Sequence, residues 1–332
     1  MLRGMVKVGE SRLKHLLPTR EVAFALAALG LVLILGVAYN ARGAFFAAGT
    51  HADAFWAIAG FGILACGMTI VILTGGIDLS VGSVAALCGV LFALMTMKND
   101  WPPVLAVAAA VGAGAACGLV NGILVAALRL QPFIATLAMM AFARGLAKSD
   151  MVSEGAKIQR MPAPQVVEWF NTRVDILGAK VSIGVFIFLG CFALTLFLLQ
   201  ALRFGRHIYA IGDNAEAARL SGVPVRKTLI IAYTLCGLFA GIAGVLFTAM
   251  ARQGDPDSGI GYELTAIAMV VVGGTSLMGG RGGVTLTLLG ALTIGYLKKI
   301  LDINRVDTAE QLMITGGIIV LAVLLQSLRR RS

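Results

Sequence analysis

Long apolar runs bounded by charged or turn residues dominate the chain. We read ten of them, near residues 22–40, 55–74, 79–97, 103–128, 132–148, 181–202, 229–250, 263–279, 283–301 and 310–327. Runs of about 18 or more apolar residues can cross roughly 30 Å of hydrocarbon as helices. The pattern therefore predicts an all-α, polytopic transmembrane helical bundle of about ten spans.

Composition supports this prediction and excludes several other classes. Of the 332 residues, 58% are hydrophobic and 13% are charged, which is far from the balance of a soluble domain. The net charge of +10 comes from bases at the termini and in loops, without the basic helix face of a nucleic-acid binder. Cysteines and histidines show no metal-ligand spacing, and no phosphate loop is present. We expect no nucleic acid, no metal, no cofactor and no ATPase site.

Topology follows from the span count and the basic residues. An even number of spans puts both termini on one side of the membrane, and the basic segments 1–20 and 329–332 favour the cytoplasm. Residues 21–328 then form the transmembrane domain, with a long external loop at 149–180 and a long cytoplasmic loop at 203–228. The first apolar run superficially resembles a signal peptide but is too long for one, so we predict a signal-anchor helix.

Glycines recur at spacings typical of close helix packing in lipid. They are Gly114, Gly118 and Gly122 on one span, and Gly237 and Gly241 on another. A fainter recurrence matches Gly75, Gly76, Leu79 and Gly82 to Gly273, Gly274, Leu277 and Gly280. Transporters are often built from duplicated halves. The span count makes these two segments parallel rather than inverted, so the recurrence is only a weak indication of a repeat.

The cytoplasmic loop contains a compact helix. Residues 216–220 favour helix, and Gly222 followed by Pro224 would stop it. Its core, Glu216, Ala217, Ala218 and Gly222, has the pattern Glu-Ala-Ala-x-x-x-Gly. This pattern resembles the coupling-helix motif of ATP-binding-cassette importer permeases, and an ordinary loop helix is the alternative.

Further motifs in the same order make the resemblance more specific. They are Tyr209-Ala-Ile-Gly-Asp-Asn214, Gly75-Gly-Ile-Asp-Leu-Ser-Val-Gly82, Gly261-Tyr-Glu-Leu264 and Gly273-Gly-Thr-Ser-Leu277. The chain is similar to the ribose/xylose/arabinose branch of these sugar permeases, and most similar to ribose-type permeases. The resemblance runs from about residue 55 to near the C-terminus, and residues 1–50 carry little of it.

The resemblance implies the membrane-spanning subunit of a bacterial inner-membrane importer for a monosaccharide such as ribose. Its partners would be cytoplasmic ATPase subunits, an external sugar-binding protein, a second copy of the chain and membrane lipid. The 149–180 loop, with Trp169 and Phe170, would suit docking of the binding protein. The alternative is a secondary transporter driven by an ion gradient, which would need more buried ionisable residues than Asp78 and Arg144.

Several polar residues are expected along the substrate pathway. Gly75 and Gly76 favour a helix break, and breaks of this kind line cavities. Asp78 is costly inside a bilayer and could bind two sugar hydroxyls, although Asp78 or Ser80 could instead cap the next helix. The remaining pathway residues are Asn121, Phe133, Thr136 and Glu263. The alternatives are interhelical hydrogen bonds for Asn121 and Thr136, and packing for Phe133.

Overall fold

The computed structural model describes residues 19–149, 165–176 and 179–329. Its helices are α1 Thr19–Ala38, α2 Ala48–Leu73, α3 Val81–Ala93, α4 Pro103–Ala126, α5 Pro132–Lys148, α6 Gln165–Asn171, α7 Ile183–Gln200, α8 Arg203–Asp213, α9 Ala215–Leu220, α10 Val225–Ala251, α11 Tyr262–Val272, α12 Val284–Ile303 and α13 Thr308–Arg329. A 3-10 turn lies at Ala44–Phe46, and a π-helical turn at Leu94–Lys98 extends α3. Most of the predicted basic termini and part of the predicted 149–180 loop lie outside these residues.

Each of the ten predicted apolar windows overlaps one of these helices. Six of them, α1, α2, α4, α7, α10 and α12, are long and apolar enough to cross a membrane. The chain is thus a mostly helical membrane bundle. Within the described part of the predicted 149–180 loop, α6 is followed by a two-stranded antiparallel hairpin of β1 Arg173–Ile176 and β2 Ala179–Ser182. This hairpin is the one departure from the all-α prediction among the described residues.

The window 263–279 was predicted as a full span, and this is wrong in extent. Helix α11 ends at Val272 after 11 residues, which is about 16 Å at 1.5 Å per residue. The chain then turns, because Gly274, Gly279 and Gly280 have φ angles of 108°, 85° and 70°, outside the helical region. Helix α3 is also short, with 13 residues before its π-helical turn.

Helix α10 lies at the centre of the bundle, packed against α4, α2 and α3. The predicted glycine sets meet there. A Cβ on Gly118 would lie closer than 3.0 Å to the Tyr233 carbonyl oxygen, and a Cβ on Gly237 would be as close to the Gly114 carbonyl oxygen. Helices α4 and α10 therefore touch backbone to backbone, as small residues permit in lipid.

The two short helices run in opposite directions from a shared meeting point. Helix α3 runs parallel to α10, since Ala85 contacts Gly244 and Gly89 contacts Thr248 further along. Helix α11 runs parallel to α2, since Tyr262 at its start packs on Phe61 and the turn after it reaches Leu73. Both are antiparallel to α10, because Gly60 of α2 contacts Phe247 and Gly67 contacts Cys236. The carbonyl of Gly259, just before α11, lies against Gly82 in the first turn of α3. The N-termini of α3 and α11 thus meet inside the bundle.

The glycine recurrence does not correspond to one repeated structure. Its two copies follow the parallel helices α2 and α11, in keeping with the parallel orientation predicted from the span count. Equivalent positions nevertheless differ in backbone conformation, because Gly75 has a φ of 82° whereas its counterpart Gly273 is helical at −63°. Likewise Gly82 lies within α3, and Gly280 lies in a turn with a φ of 70°.

Candidate functional site

A sharp turn at residues 74–80 joins α2 to α3 within the protein interior. The turn begins at Gly75, whose φ of 82° suits glycine far better than other residues. Gly76 follows, and its N–H donates to the Val71 carbonyl at 3.2 Å. A Cβ on Gly76 would collide with the Tyr233 hydroxyl. Non-helical backbone at this depth is tolerated because other helices surround it.

Asp78, Ser80 and Asn121 form a buried polar cluster behind this turn. Their exposed fractions are 1%, 1% and 0%. Asp78 Oδ1 accepts hydrogen bonds from the Ser80 N–H at 2.9 Å and from the Ser80 hydroxyl at 2.6 Å. Asn121 Nδ2 donates to Ser80 Oγ at 3.0 Å. The structure thus brings three of the predicted pathway residues together, and their role in the pathway stays a prediction.

The alternative role, a side-chain cap at the N-terminus of α3, is not formed by Ser80. Ser80 is the N-cap residue of α3, but its side chain accepts no hydrogen bond from the helix. Asp78 instead binds the backbone and hydroxyl of Ser80, which closes a local turn. The alternative for Asn121, an interhelical hydrogen bond, does occur, because Asn121 on α4 bonds to the start of α3.

Two residues of α10 complete the cluster, and sequence reasoning missed both as site residues. The Tyr233 hydroxyl lies against Gly76, and the buried Cys236 lies close to Asp78. Within the described residues, the Tyr233 hydroxyl and Asn121 Oδ1 are buried without a hydrogen-bond partner. An unpaired buried polar group costs about 1–3 kcal/mol. A tyrosine amid the apolar residues of a span was the only signal in the sequence.

Thr136 joins the turn, whereas Phe133 does not. Thr136 Oγ1 donates to the Pro132 carbonyl at 2.9 Å and lies 3.4 Å from the Ile77 carbonyl. It is fully buried. Phe133 lies one turn earlier on α5 and is 56% exposed, so it contributes little to packing within this chain. It faces the surroundings of the bundle.

Glu263 lies at the meeting point of the two short helices. Its Oε2 is next to Gly82, where a Cβ would collide with it. Glu263 is in the first turn of α11, and carboxylates are favoured at helix N-termini because the helix dipole is positive there. Two such N-termini pointing at one place inside a membrane bundle favour ligands with negative charge or acceptor oxygens.

The segment 252–261 closes over this meeting point and is attached to α5. Arg144 Nη1 donates to the carbonyls of Pro256 and Ser258, the second at 2.6 Å. Lys148 pairs with Asp257 at 2.5 Å, and the hydrogen bond from Lys148 lowers the pKa of the Asp257 carboxyl. These contacts hold the polar segment on α5.

A second feature is the exposed helix α9, built by local sequence signals. Asn214 caps it, with Oδ1 accepting from the N–H groups of Glu216 and Ala217 at 3.0 and 2.9 Å. At the other end, the Gly222 N–H donates to Arg219 and the Val223 N–H to Ala218, which is a Schellman motif. Gly222 has the φ of 83° that this motif needs.

The four motif residues of this segment do different things. Ala218 is buried at 5% exposure and holds α9 on the bundle. Glu216 and Ala217 are exposed, and Glu216 pairs with Arg219 at 2.6 Å. The hydrogen bond from Arg219 lowers the pKa of Glu216. Leu220 beside them is 75% exposed, so α9 presents an apolar tip and a charge pair on a rigid base.

Helix α8, which leads into α9, packs against the end of α2 and against the turn that follows α11. A Cβ on Gly212 would lie closer than 3.0 Å to the Leu73 carbonyl and to the Gly280 N–H group. The Gly280 N–H itself donates to the Leu73 carbonyl at 3.0 Å. Tyr209 Oη donates to the Gly282 carbonyl at 3.0 Å. The Gly212 junction therefore joins α8, the end of α2 and the turn after α11.

These features define a class: a helical membrane permease with interrupted helices at its centre and an exposed helix on one loop. The chain belongs to the family described as branched-chain amino acid transport system / permease component, whose model matches residues 50–323. The predicted membrane location is thereby confirmed. No solved structure matches the chain.

Curated relatives are named for sugar import. A ribose import permease protein of Escherichia coli strain K12 is 42% identical over 272 residues, covering 80% of this chain and 81% of the relative. A fructose import permease protein of Rhizobium meliloti is 35% identical and covers 94% and 87%. An L-arabinose ABC transporter permease protein of Azospirillum brasilense is 37% identical and covers 81% and 77%. The resemblance predicted from the motifs is confirmed.

Proposed function

We propose that this chain is the membrane-spanning subunit of an ATP-binding-cassette importer for ribose or a related monosaccharide. Family membership and the sugar-import relatives support the class. The observation that carries the mechanism is α9, an exposed and locally rigid helix connected through α8 to the interior turns. In this proposal the chain lies in the bacterial inner membrane with about ten spans, and both termini and α9 are cytoplasmic.

The ATPase is a separate chain in this proposal, and it seats on α9. Glu216, Ala217 and Leu220 would face the ATPase, while Ala218 and Gly222 fix the helix that presents them. Nucleotide-driven closure of the ATPases moves α9, and the Gly212 junction transmits the motion to the turns at 74–80 and 273–283. Such a switch derives its energy from differential contacts in two states.

The substrate pathway in this proposal runs past the meeting point of α3 and α11. The cluster of Asp78, Ser80 and Asn121 is closed off from the surroundings here, since each is 1% exposed or less. Opening of the contact between Gly82 and Gly259 would uncover it. A carboxylate then offers two acceptor oxygens to neighbouring sugar hydroxyls. A second copy of the chain would flank the pathway, and an external binding protein would deliver the sugar.

The first test is purification of the tagged chain in mild detergent with identification of co-eluting proteins, beside the variant Gly222→Asp. An ATPase subunit should co-elute with the unaltered chain. It should be lost or uncoupled from uptake in Gly222→Asp, because a residue with a Cβ is strained at a φ of 83° and the helix stop is lost.

A matched control keeps the charge and removes the strain. Ser221→Asp places the same carboxylate one residue earlier, where the backbone φ is −80°, and should retain ATPase and uptake. Normal uptake by Gly222→Asp would contradict the coupling role. If no ATPase co-elutes under several gentle conditions, uptake into ATP-depleted vesicles under an imposed ion gradient tests a secondary transporter instead.

A further inference from the structure

An open groove lies where α9 meets the start of α10. Its volume is about 700 Å³, and its lining includes Arg219, Arg226 and Lys227 beside Pro224, Ile230 and Ile231. The groove thus has a cationic rim and an apolar floor. No residue of the interior cluster lines it, and α9 contributes Arg219 but none of the residues assigned above to ATPase docking.

The cations on the rim have unequal roles. Arg219 is paired with Glu216 at 2.6 Å. Arg226 and Lys227 are exposed, and no ion pair is formed by either one with any described residue. They occupy the first turn of α10, which contains no acidic residue and carries the positive end of the helix dipole. An anion in the groove would relieve this accumulation of positive charge.

The position of the groove along α10 matches the depth of a lipid headgroup. Helix α10 has 27 residues and is about 40 Å long, longer than the roughly 30 Å hydrocarbon core. When a helix of this length is centred in the bilayer, its first turn lies in the headgroup layer. Ile230 and Ile231 lie about 6–8 Å deeper, at the level of the upper acyl chains. A lipid phosphate would thus contact the cations of the first turn, and its acyl chains would contact Ile230 and Ile231.

The apolar floor continues onto the outer surface of the bundle. Gly122 of α4 packs against Ile230, and the neighbouring Ile123 and the nearby Leu128 are 41% and 63% exposed. A lipid held by the rim can lay its acyl chains along this surface. A soluble anion would leave the floor unused, and a protein partner would need to enter the membrane to cover it.

We infer that this groove binds an anionic phospholipid such as phosphatidylglycerol, with the phosphate on Arg226 and Lys227 and the acyl chains along Ile230, Ile231 and α4. Its assignment to the inner leaflet rests on the proposed function, which places α9 in the cytoplasm. A lipid bound in the groove would stabilise the position of α9 relative to the bilayer surface. Basic pockets between membrane helices recognise anionic headgroups in this way.

The test is native mass spectrometry of the purified full chain titrated with phosphatidylglycerol and, separately, with phosphatidylcholine of the same acyl chains. Phosphatidylglycerol should bind more tightly. Each cation near an anionic headgroup changes binding about fivefold, so Arg226→Gln with Lys227→Gln should weaken phosphatidylglycerol binding on the order of 25-fold. Phosphatidylcholine binding should change little.

The matched control is Arg203→Gln with Arg206→Gln, which removes two exposed cations from α8 outside the groove. It should leave phosphatidylglycerol binding unchanged. Equal loss in both double variants, or no preference for phosphatidylglycerol, would overturn the inference. Displacement of the lipid by excess glycerol phosphate would also overturn it, since the groove would then be a soluble-anion site.

Co-elution of the ATPase separates this inference from the proposed function. One outcome is that the double variant Arg226→Gln with Lys227→Gln loses the ATPase while its lipid binding is unchanged. That result would show that the groove contacts the ATPase, and it would overturn the lipid assignment. Absence of any ATPase from the unaltered chain, with selective phosphatidylglycerol binding intact, would count against the proposed function and leave the lipid site standing.

Discussion

Replacing Gly212 with alanine should disconnect α9 from the interior turns while leaving α9 itself intact. Intrinsic helix propensity favours alanine over glycine by about 1 kcal/mol, so in an ordinary helix the change would stabilise. At this junction the added methyl would lie closer than 3.0 Å to Leu73 and Gly280 backbone atoms. Overpacking of this kind costs about 1–3 kcal/mol.

The same methyl would also push apart the hydrogen bond between the Gly280 N–H and the Leu73 carbonyl, which contributes about 0.5–1.5 kcal/mol. The net cost to the junction is on the order of 1–3 kcal/mol after the propensity gain. A coupling change of that size alters a two-state equilibrium about 5- to 150-fold. Because Asn214 and Gly222 are untouched, the surface of α9 keeps its shape.

The assay is sugar uptake and sugar-stimulated ATP hydrolysis by the whole importer in proteoliposomes, with ATPase co-elution measured in parallel. Gly212→Ala should lose most uptake while the ATPase still co-elutes. The matched control is Gly190→Ala on α7, where a Cβ meets nothing within 4 Å, and it should be neutral. Uptake by Gly212→Ala at the level of the unaltered chain would refute the junction as the route of coupling.

Three other substitutions address the interior. Asp78→Asn keeps an acceptor oxygen for Ser80 but removes the carboxylate, so labelled-sugar uptake should fall at least tenfold with expression unchanged; full uptake would exclude a carboxylate role in sugar binding. Tyr233→Phe removes a buried, unpaired hydroxyl and should increase the free energy of unfolding by about 1–3 kcal/mol, which is measured as a higher melting temperature. A lowered melting temperature would mean that the hydroxyl has a partner. Gly118→Leu forces α4 from α10 and should abolish the monodisperse peak in fluorescence-detected size exclusion, whereas Gly112→Leu, with open space at its Cβ, should retain it.

Local features were the easiest to predict from the sequence. The α9 segment depends on Asn214, Gly222 and the residues between them, which cap and stop a helix without help from the rest of the chain. The glycine sets on α4 and α10 were also predictable, because small residues at helical spacing indicate close packing whichever helices meet. The turn around Asp78 followed from two glycines and an acid within apolar sequence.

Other features depend on contacts between distant residues. Tyr233 and Cys236 approach Asp78 from α10, more than 150 residues later, and nothing in their own sequence window indicates this. Helix α11 resembles a full span because hydropathy measures composition, while its length is set by backbone turns at Gly274, Gly279 and Gly280. Phe133, predicted with the pathway, is exposed because it lies at the start of α5, whereas Thr136, one turn further along, is buried against the turn at Ile77.

The sequence by itself determined that this protein is a membrane bundle, where its helices lie, and how α9 is capped, because transfer into lipid and helix termination act over one or two turns of chain. Only the tertiary structure decided that α11 stops at Val272, that the N-termini of α3 and α11 are in contact, and that Gly212 lies where Leu73 and Gly280 meet. Those arrangements arise from backbone packing between segments far apart in sequence, and hydropathy and spacing carry no information about which segments become neighbours.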